Sequence, residues 1–211
     1  MATAFAGVLF LLVAFAYRSG FTRGIDQATI AFFAAIESST LDTIGQADDE
    51  LARVLPTFAA AGLIAAALAW KRRGWAWIVP FFIGAAAFVE FLAKVGIGQG
   101  LHPGAMLAAA RELIGFRFHT GASFPSGHVA RTAFLAAVAL RLLPYWISAP
   151  LVAFAGLTFV ARLYIEAHRL SDVVGGVVLG VGAACAGLCV AAILDARSAR
   201  QVRRPTAPEL T

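Results

Sequence analysis

The stretch VVGGVVLGVGAACAGLCVAAIL, residues 173–194, carries no charged side chain from end to end. A transmembrane α-helix needs about 20 consecutive apolar residues, so this run alone predicts a helix that crosses a bilayer. Its glycines, among them Gly176 and Gly180, predict close packing against another helix. Further apolar runs divide the rest of the chain, and the predicted spans are 2–17, 54–70, 75–93, 128–143, 145–165 and 173–194. The chain is therefore expected to be an all-α, polytopic membrane bundle of six transmembrane helices with short interfacial helices.

The overall composition agrees with a membrane-embedded chain and excludes other classes. Hydrophobic residues make up 60% of the 211 residues and charged residues only 14%, whereas soluble domains carry about 25% charge. The length suits one helical bundle, so residues 1–211 are expected to form a single membrane-embedded domain. The net charge is +5, but the basic residues flank the apolar runs without interleaved aromatic residues, so no nucleic-acid partner is expected.

The distribution of basic residues predicts how the chain is oriented in the cell membrane. Lys71-Arg72-Arg73 follows the second span, Arg141 lies at the end of the fourth, and the tail 196–211 is basic. The positive-inside rule makes these segments cytoplasmic, together with both termini. The first run lacks a basic start and is interpreted as a retained helix rather than a signal peptide. The outer side then receives the acidic interfacial segment 18–53 and all the histidines, which are His102, His119, His128 and His168.

Two outer segments are predicted to form short helices. Within 18–53, apolar residues recur at roughly helical spacing, and Ser39-Thr40-Leu41-Asp42 matches a capping box that would start a helix. Residues 104–114 form another amphipathic pattern, which ends at Gly115. This second helix is either an ordinary interfacial helix or a lid over a site.

The segment Phe124-Pro125-Ser126-Gly127-His128 stands directly before the fourth span. Proline and glycine predict a tight turn at a helix start, where free backbone N–H groups and the helix dipole favour an anion. Ser126 can add a hydroxyl donor, and Gly127 lets a ligand approach the backbone closely. The alternative is that the serine only caps the helix.

A second polar segment joins the fifth and sixth spans and contains Arg162, His168 and Asp172. If the stretch from His168 to Asp172 is helical, the two side chains share a face, and the carboxylate can fix the tautomer of the imidazole. An oriented histidine can act as a nucleophile or base, and an arginine can bind two phosphate oxygens. The alternative is an ion network that only joins helix ends.

In order and spacing, these two segments resemble the second and third signature motifs of the type 2 phosphatidic acid phosphatase family. The second motif of that family is proline-serine-glycine-histidine, as in residues 125–128. The third is serine-arginine, five residues, histidine, three residues and aspartate; here Ala161 replaces the leading serine. The resemblance covers about 94–180, and the layout of spans extends it over most of the chain.

The first motif of the family, which is lysine, six residues, arginine and proline, is only partly present. Lys94 stands at the expected place, but Leu101-His102-Pro103 follows where the arginine and proline are expected. Either His102, Arg111 or Arg117 supplies the missing positive charge, or the site is weakened.

The resemblance implies a phosphoric ester or anhydride hydrolase that uses no metal and no other cofactor. By similarity, His168 attacks phosphorus and Asp172 orients it. His128 protonates the leaving oxygen and later activates water. The residues implied to bind the phosphoryl oxygens are Lys94, Ser126, Gly127, Arg162 and His102.

The expected substrate is a lipid phosphate at the outer face of the bilayer, because the chain has no large soluble domain. Isoprenyl diphosphate, phosphatidic acid and phosphatidylglycerophosphate are the candidates, and the outward-facing site slightly favours the first. A lipid phosphotransferase and a catalytically impaired lipid-binding membrane protein are the alternatives. Within the spans, Glu90 precedes Lys94 by one helical turn and Arg131 follows His128, which predicts a supporting role or an interhelix ion pair.

Overall fold

The structure, a computed structural model, describes residues 2–99, 123–165 and 168–202. Within these residues the chain forms only helices. They are α1 (Ala2–Ser19), α2 (Arg23–Ala34), α3 (Ser39–Leu51), α4 (Val54–Trp70), α5 (Ile78–Ala93), α6 (Gly127–Leu142), α7 (Tyr145–Tyr164) and α8 (Leu170–Val202). A short π-helical segment, Lys94–Gln99, follows α5 directly. The predicted helix over 104–114 lies outside the described residues.

Each predicted span coincides with an α-helix of the structure, namely α1, α4, α5, α6, α7 or α8. The last helix, α8, extends at both ends beyond the predicted run 173–194. By length and composition, α1, α5 with the start of the π segment, α7 and α8 can each cross a bilayer. A further candidate is α3 together with α4, which meet at a bend of 58°. The protein is therefore a polytopic helical membrane protein, while the number of six crossings remains a prediction.

The helix α6 has 16 residues and lies at the centre of the bundle. It packs chiefly against α8 and α7, and also against α5 and α4. Most of its side chains are therefore buried in protein, including the ring of Phe134. Because other helices surround it, α6 can carry the charged Arg131 and the polar Thr132 away from both water and lipid.

Two glycines of α8 determine how closely α8 approaches α6. A Cβ atom at Gly176 would lie 2.5 Å from the carbonyl oxygen of Ser126, and a Cβ atom at Gly180 would collide with the carbonyl group of Ala130. Neither position accepts a side chain unless the two helices separate. The predicted role of these glycines in close packing is confirmed, and the contact at Gly176 reaches the turn that begins α6.

The segment 18–53, which precedes α4, contains two short helices, α2 and α3, as predicted. The cap of α3 is Ser38, whose Oγ accepts a hydrogen bond from the backbone N–H of Leu41 at 3.3 Å. The predicted capping box, which began at Ser39, is therefore wrong by one residue. Tyr164 stabilises this start of α3, because its hydroxyl accepts a hydrogen bond from the backbone N–H of Ser38 at 2.9 Å and donates one to Asp42 at 2.8 Å. These contacts fix α3 against the end of α7.

The two ends of the bundle carry different groups. At one end, the indole of Trp75 donates to Asp195 of α8 at 2.7 Å, and Arg73 pairs with the same carboxylate at 3.3 Å. This end joins the basic loop after α4 to the basic end of α8. His128 lies in the first turn of α6 and His168 precedes α8, so both histidines lie at the opposite end.

Candidate active site

A backbone hydrogen bond holds the turn before α6 against the first turn of α8. The N–H of Ser126 donates to the carbonyl oxygen of Asp172 at 2.9 Å. Phe124, which joins Pro125 through a cis peptide bond, is buried, and its ring stacks on Tyr17 of α1 with centroids 4.8 Å apart. The second and third predicted motifs therefore lie side by side.

Ser126 occupies the N-cap position of α6, but its side chain does not cap the helix. Its hydroxyl oxygen is buried and has no hydrogen-bond partner within the described ranges. Leaving such a group unsatisfied costs about 1–3 kcal/mol. The side chain therefore does not make the capping bond that the sequence left open, and the binding role of Ser126 remains a prediction.

Gly127 makes room for another side chain of the protein. The carboxylate of Glu90 lies against its Cα, where any Cβ atom would overlap both carboxylate oxygens. The contact with Glu90 is thus a reason for this glycine that the sequence did not indicate, and the approach of a ligand to its backbone remains a prediction. The backbone N–H of Gly127 is still one of the first N–H groups of α6, which no carbonyl of the helix can satisfy.

Glu90 binds two buried cations at once. Its Oε1 lies 2.7 Å from Nζ of Lys94, and its Oε2 lies 3.1 Å from Nη1 of Arg131. Arg131 also donates to the carbonyl oxygen of Ala52, at the break between α3 and α4, at 3.3 Å. The predicted pair of Glu90 and Lys94 is confirmed, and the same carboxylate forms the interhelix pair. Glu90 thereby fixes Lys94 beside the turn that bears Gly127.

His168 and Asp172 face each other at the start of α8, with Nδ1 of the imidazole 3.7 Å from Oδ2 of the carboxylate. The helix begins at Leu170, so a shared helical face is not the reason for their contact. Instead, Oδ2 of Asp172 accepts the backbone N–H of Arg169 at 2.9 Å, the bond that a capping-box carboxylate makes. The N–H of His168 donates to the carbonyl oxygen of Arg162 at 3.2 Å. A turn stabilised at both ends brings the imidazole to the carboxylate.

Arg162 is buried near the end of α7 and is held by two carboxylates of α3. Its Nη1 contacts Oδ1 of Asp49, and its Nη2 lies 3.3 Å from Oδ2 of Asp48 and 3.4 Å from the carbonyl oxygen of Gly45. Asp48 also accepts a hydrogen bond from Thr158 at 2.7 Å. Sequence reasoning missed both carboxylates. No local pattern could pair them with the arginine, because 113 positions separate Asp49 from Arg162.

His128 lies in the first turn of α6, and its Nε2 is 3.5 Å from Oδ1 of Asp49. This nitrogen is buried and makes no hydrogen bond to the described part of the chain. The side chains of His128 and His168 are 23% and 12% exposed, whereas those of Arg162 and Asp172 are almost fully buried. Of these four side chains the two imidazoles are the most accessible, and the buried Asp172 faces one of them, His168.

The structure brings the described members of the predicted site to one end of the bundle, through the contacts above. His102 lies outside the described residues. Among the residues that are described, no three histidine, cysteine, aspartate or glutamate side chains are arranged to hold a metal ion. A reaction without a metal remains a prediction.

Fold and site together define a class of protein: a helical membrane protein in which two histidines, a buried arginine and a buried carboxylate meet at one end of the bundle. The family model described as the PAP2 superfamily matches residues 75–195, more than half of the chain. The chain belongs to this superfamily, the type 2 phosphatidic acid phosphatases. Membership supports a lipid phosphatase embedded in a membrane.

Among solved structures, the chain is similar to the crystal structure of the first transmembrane PAP2 type phosphatidylglycerolphosphate phosphatase from Bacillus subtilis. The two share 18% sequence identity with a TM-score of 0.66, over 92% of this chain and 96% of the other. At this identity the similarity shows a common fold over nearly the whole of both chains. A comparison with curated proteins gave no match.

Proposed function

We propose that the protein hydrolyses a phosphate monoester or diphosphate of a membrane lipid through a phosphohistidine intermediate on His168. The observation that carries this proposal is the 2.9 Å hydrogen bond between the N–H of Ser126 and the carbonyl of Asp172. It holds the turn that bears His128 beside the carboxylate that contacts His168. A nucleophile and a proton donor that act on one phosphoryl group need this proximity.

In the first step, Nε2 of His168 attacks phosphorus, because Nδ1 faces Asp172 at 3.7 Å. A P–N bond forms while the P–O bond to the lipid breaks, and His128 gives its proton to the departing oxygen. A monoester releases the lipid alcohol, and a diphosphate releases the lipid monophosphate. The carboxylate of Asp172 orients the imidazole and offsets the positive charge that develops on it.

In the second step, the neutral His128 takes a proton from a water molecule. The water oxygen bonds to phosphorus as the P–N bond breaks, so inorganic phosphate leaves and His168 is restored. Positioning and charge stabilisation are the main requirements of phosphoryl transfer, and oriented donors supply both. We assign this stabilisation to Arg162, Lys94, Ser126 and the backbone of Gly127, with His102, Arg111 or Arg117 in place of the missing arginine.

The membrane fold supports a lipid as the group that carries the phosphate. The candidates are isoprenyl diphosphate, phosphatidic acid and phosphatidylglycerophosphate. The similar solved structure is described as a phosphatidylglycerolphosphate phosphatase, which supports keeping that lipid among the three candidates. We place the reaction on the extracytoplasmic side, because the basic loop after α4 and the basic end of α8 share the other end of the bundle.

The test is phosphate release by the detergent-purified protein from each of the three lipids, with and without EDTA. We expect release from at least one lipid, unchanged by EDTA and abolished in His168→Ala. Gel filtration and thermal unfolding of the variant exclude loss of folding as the cause. No release from any lipid by a folded wild-type protein would contradict the proposal, and release that EDTA abolishes would contradict the metal-independent mechanism.

A further inference from the structure

One carboxylate oxygen, Oδ1 of Asp49, lies between two side chains that would contact the phosphate in the proposed reaction. Oδ1 of Asp49 contacts Nη1 of Arg162 and lies 3.5 Å from Nε2 of His128. In the reaction, Arg162 binds a phosphoryl oxygen and Nε2 of His128 gives a proton to the leaving oxygen. Both groups therefore face an oxygen atom of the protein at the place where the substrate would bring its own.

The neighbouring carboxylate, Asp48, is held quite differently. Its side chain is fully buried, and it accepts from Thr158 at 2.7 Å while pairing with Nη2 of Arg162 at 3.3 Å. A carbonyl oxygen, that of Gly45, accepts from the same Nη2 at 3.4 Å. These contacts fix the position of Arg162 without Asp49. The guanidinium therefore keeps its orientation if Asp49 leaves.

Asp49 has a second cationic partner, Arg53, outside the contact with Arg162. Its side chain is 29% exposed, and its Oδ2 already pairs with Nη2 of Arg53 at 3.0 Å. The side chain of Arg53, the N-cap residue of α4, is 53% exposed and also pairs with Glu50 at 2.8 Å. A rotation of the Asp49 side chain toward Arg53 would keep its charge paired near water, while Nη1 of Arg162 and Nε2 of His128 become free.

A phosphate dianion and the Asp49 carboxylate cannot share this place, because like charges at such distances repel and both need the same donor of Arg162. We propose that Asp49 is an internal ligand of the phosphate site, which occupies the position of a phosphoryl oxygen when the site is empty and is displaced toward Arg53 when substrate binds. The inference rests on the proposed function for the roles of Arg162 and His128. Asp49 thereby determines how strongly the site binds phosphate, because only the molecules whose site is free of Asp49 can bind it. The smaller that fraction is, the weaker the apparent affinity for phosphate.

The test compares Asp49→Asn with Glu37→Gln. Both substitutions replace a carboxylate by the amide of the same shape, but Glu37 is exposed and, among the described residues, forms no ion pair with Arg162, His128 or Arg53. The measurements are the Kd for inorganic phosphate, by calorimetry on the purified protein, and kcat and KM for the lipid that the wild type hydrolyses. For Asp49→Asn we expect the Kd for phosphate to fall at least about tenfold, which corresponds to a wild-type site that Asp49 occupies about nine-tenths of the time. The KM for the lipid should fall by a similar factor. Glu37→Gln should leave both constants near wild type.

A second variant tests the route that Asp49 takes. Arg53→Gln removes the alternative partner, so Asp49 should remain in the site and phosphate should bind more weakly. In the Asp49→Asn background the same substitution should have little effect, because the two residues act through one contact. Equal effects of Arg53→Gln in both backgrounds would overturn the inference.

The outcomes separate this inference from the proposed function. Tighter phosphate binding by Asp49→Asn in a protein that hydrolyses no lipid supports the inference and contradicts the proposed function. Lipid hydrolysis with an unchanged or weaker phosphate Kd in Asp49→Asn overturns the inference and leaves the proposed function standing. A fall in kcat with no change in phosphate affinity also overturns it, because Asp49 would then only position His128.

Discussion

Buried carboxylates determine where the reactive groups of this site lie. Glu90, Asp172 and Asp48 are almost inaccessible to solvent, and each faces at least one cationic or imidazole group. A buried charge needs an opposite charge or hydrogen-bond donors beside it, because an unpaired charge away from water is costly. The sequence indicated Glu90 and Asp172, since each lies about one helical turn from its partner. It did not indicate Asp48, because its partner Arg162 is on a distant helix.

Replacing Glu90 by glutamine should lower both stability and substrate affinity. The amide would leave Lys94 and Arg131 buried without their common negative charge, and breaking a buried ion pair costs about 3–5 kcal/mol. We expect a lower Tm in detergent and a higher KM for the lipid substrate. Glu37→Gln, the same change at an exposed position of the outer segment, is the matched control and should change neither. A Glu90→Gln protein with the wild-type Tm and KM would show that this carboxylate does not hold the lysine in place.

The helices show which sequence signals are reliable here. Apolar runs located every predicted span, because burial in lipid or protein imposes the same composition on each. Signals at helix ends were weaker. The cap of α3 is Ser38, which contacts Tyr164, and not the predicted Ser39. His168 precedes α8 and does not lie on a helical face shared with Asp172. The first departure arises from a contact between residues 126 positions apart, whereas the second arises from local contacts of His168 and Arg169 with Arg162 and Asp172.

The close contact between α6 and α8 should contribute to the stability of the bundle. A Cβ atom at Gly180 would collide with the carbonyl group of Ala130, so Gly180→Ala should force the helices apart and lower the free energy of unfolding by about 1–3 kcal/mol. Gly156→Ala in α7 is the control, because a Cβ atom there meets nothing within 4 Å. Alanine favours a helix over glycine by about 0.5–1 kcal/mol, so the control should keep or raise the Tm. Thermal unfolding in detergent compares the two, and equal Tm values would show that the helices do not depend on this contact.

At the scale of the whole molecule, the bundle separates a basic end from an end that holds the two described histidines, His128 and His168. The contact of Trp75 with Asp195 fixes the first, and the contact of Ser126 with Asp172 fixes the second. The sequence predicted this separation from loop charges and motif positions alone. It could not predict that α3 extends from the outer segment to Arg162, because that contact depends on how the bundle closes.

The orientation in the membrane can be tested by labelling single cysteines. The native thiols are removed by Cys185→Ala and Cys189→Ala, and Ser39→Cys or Ser198→Cys is added at an exposed position. On intact cells, a membrane-impermeant maleimide should label the cysteine at 39 and reach the cysteine at 198 only after permeabilisation, because the positive-inside rule places the end of α8 in the cytoplasm. The reverse pattern would place the candidate active site on the cytoplasmic side.

The central claim is that His168 carries the phosphoryl group during hydrolysis. The most direct measurement is to mix the purified protein with a lipid substrate labelled in its terminal phosphate, stop the reaction with alkali and locate the label by mass spectrometry. The account predicts a transient, acid-labile and alkali-stable phosphoryl group on His168 that disappears as inorganic phosphate is released, and no label in His168→Ala. Steady hydrolysis with no label on His168, or continued hydrolysis by His168→Ala, would contradict it.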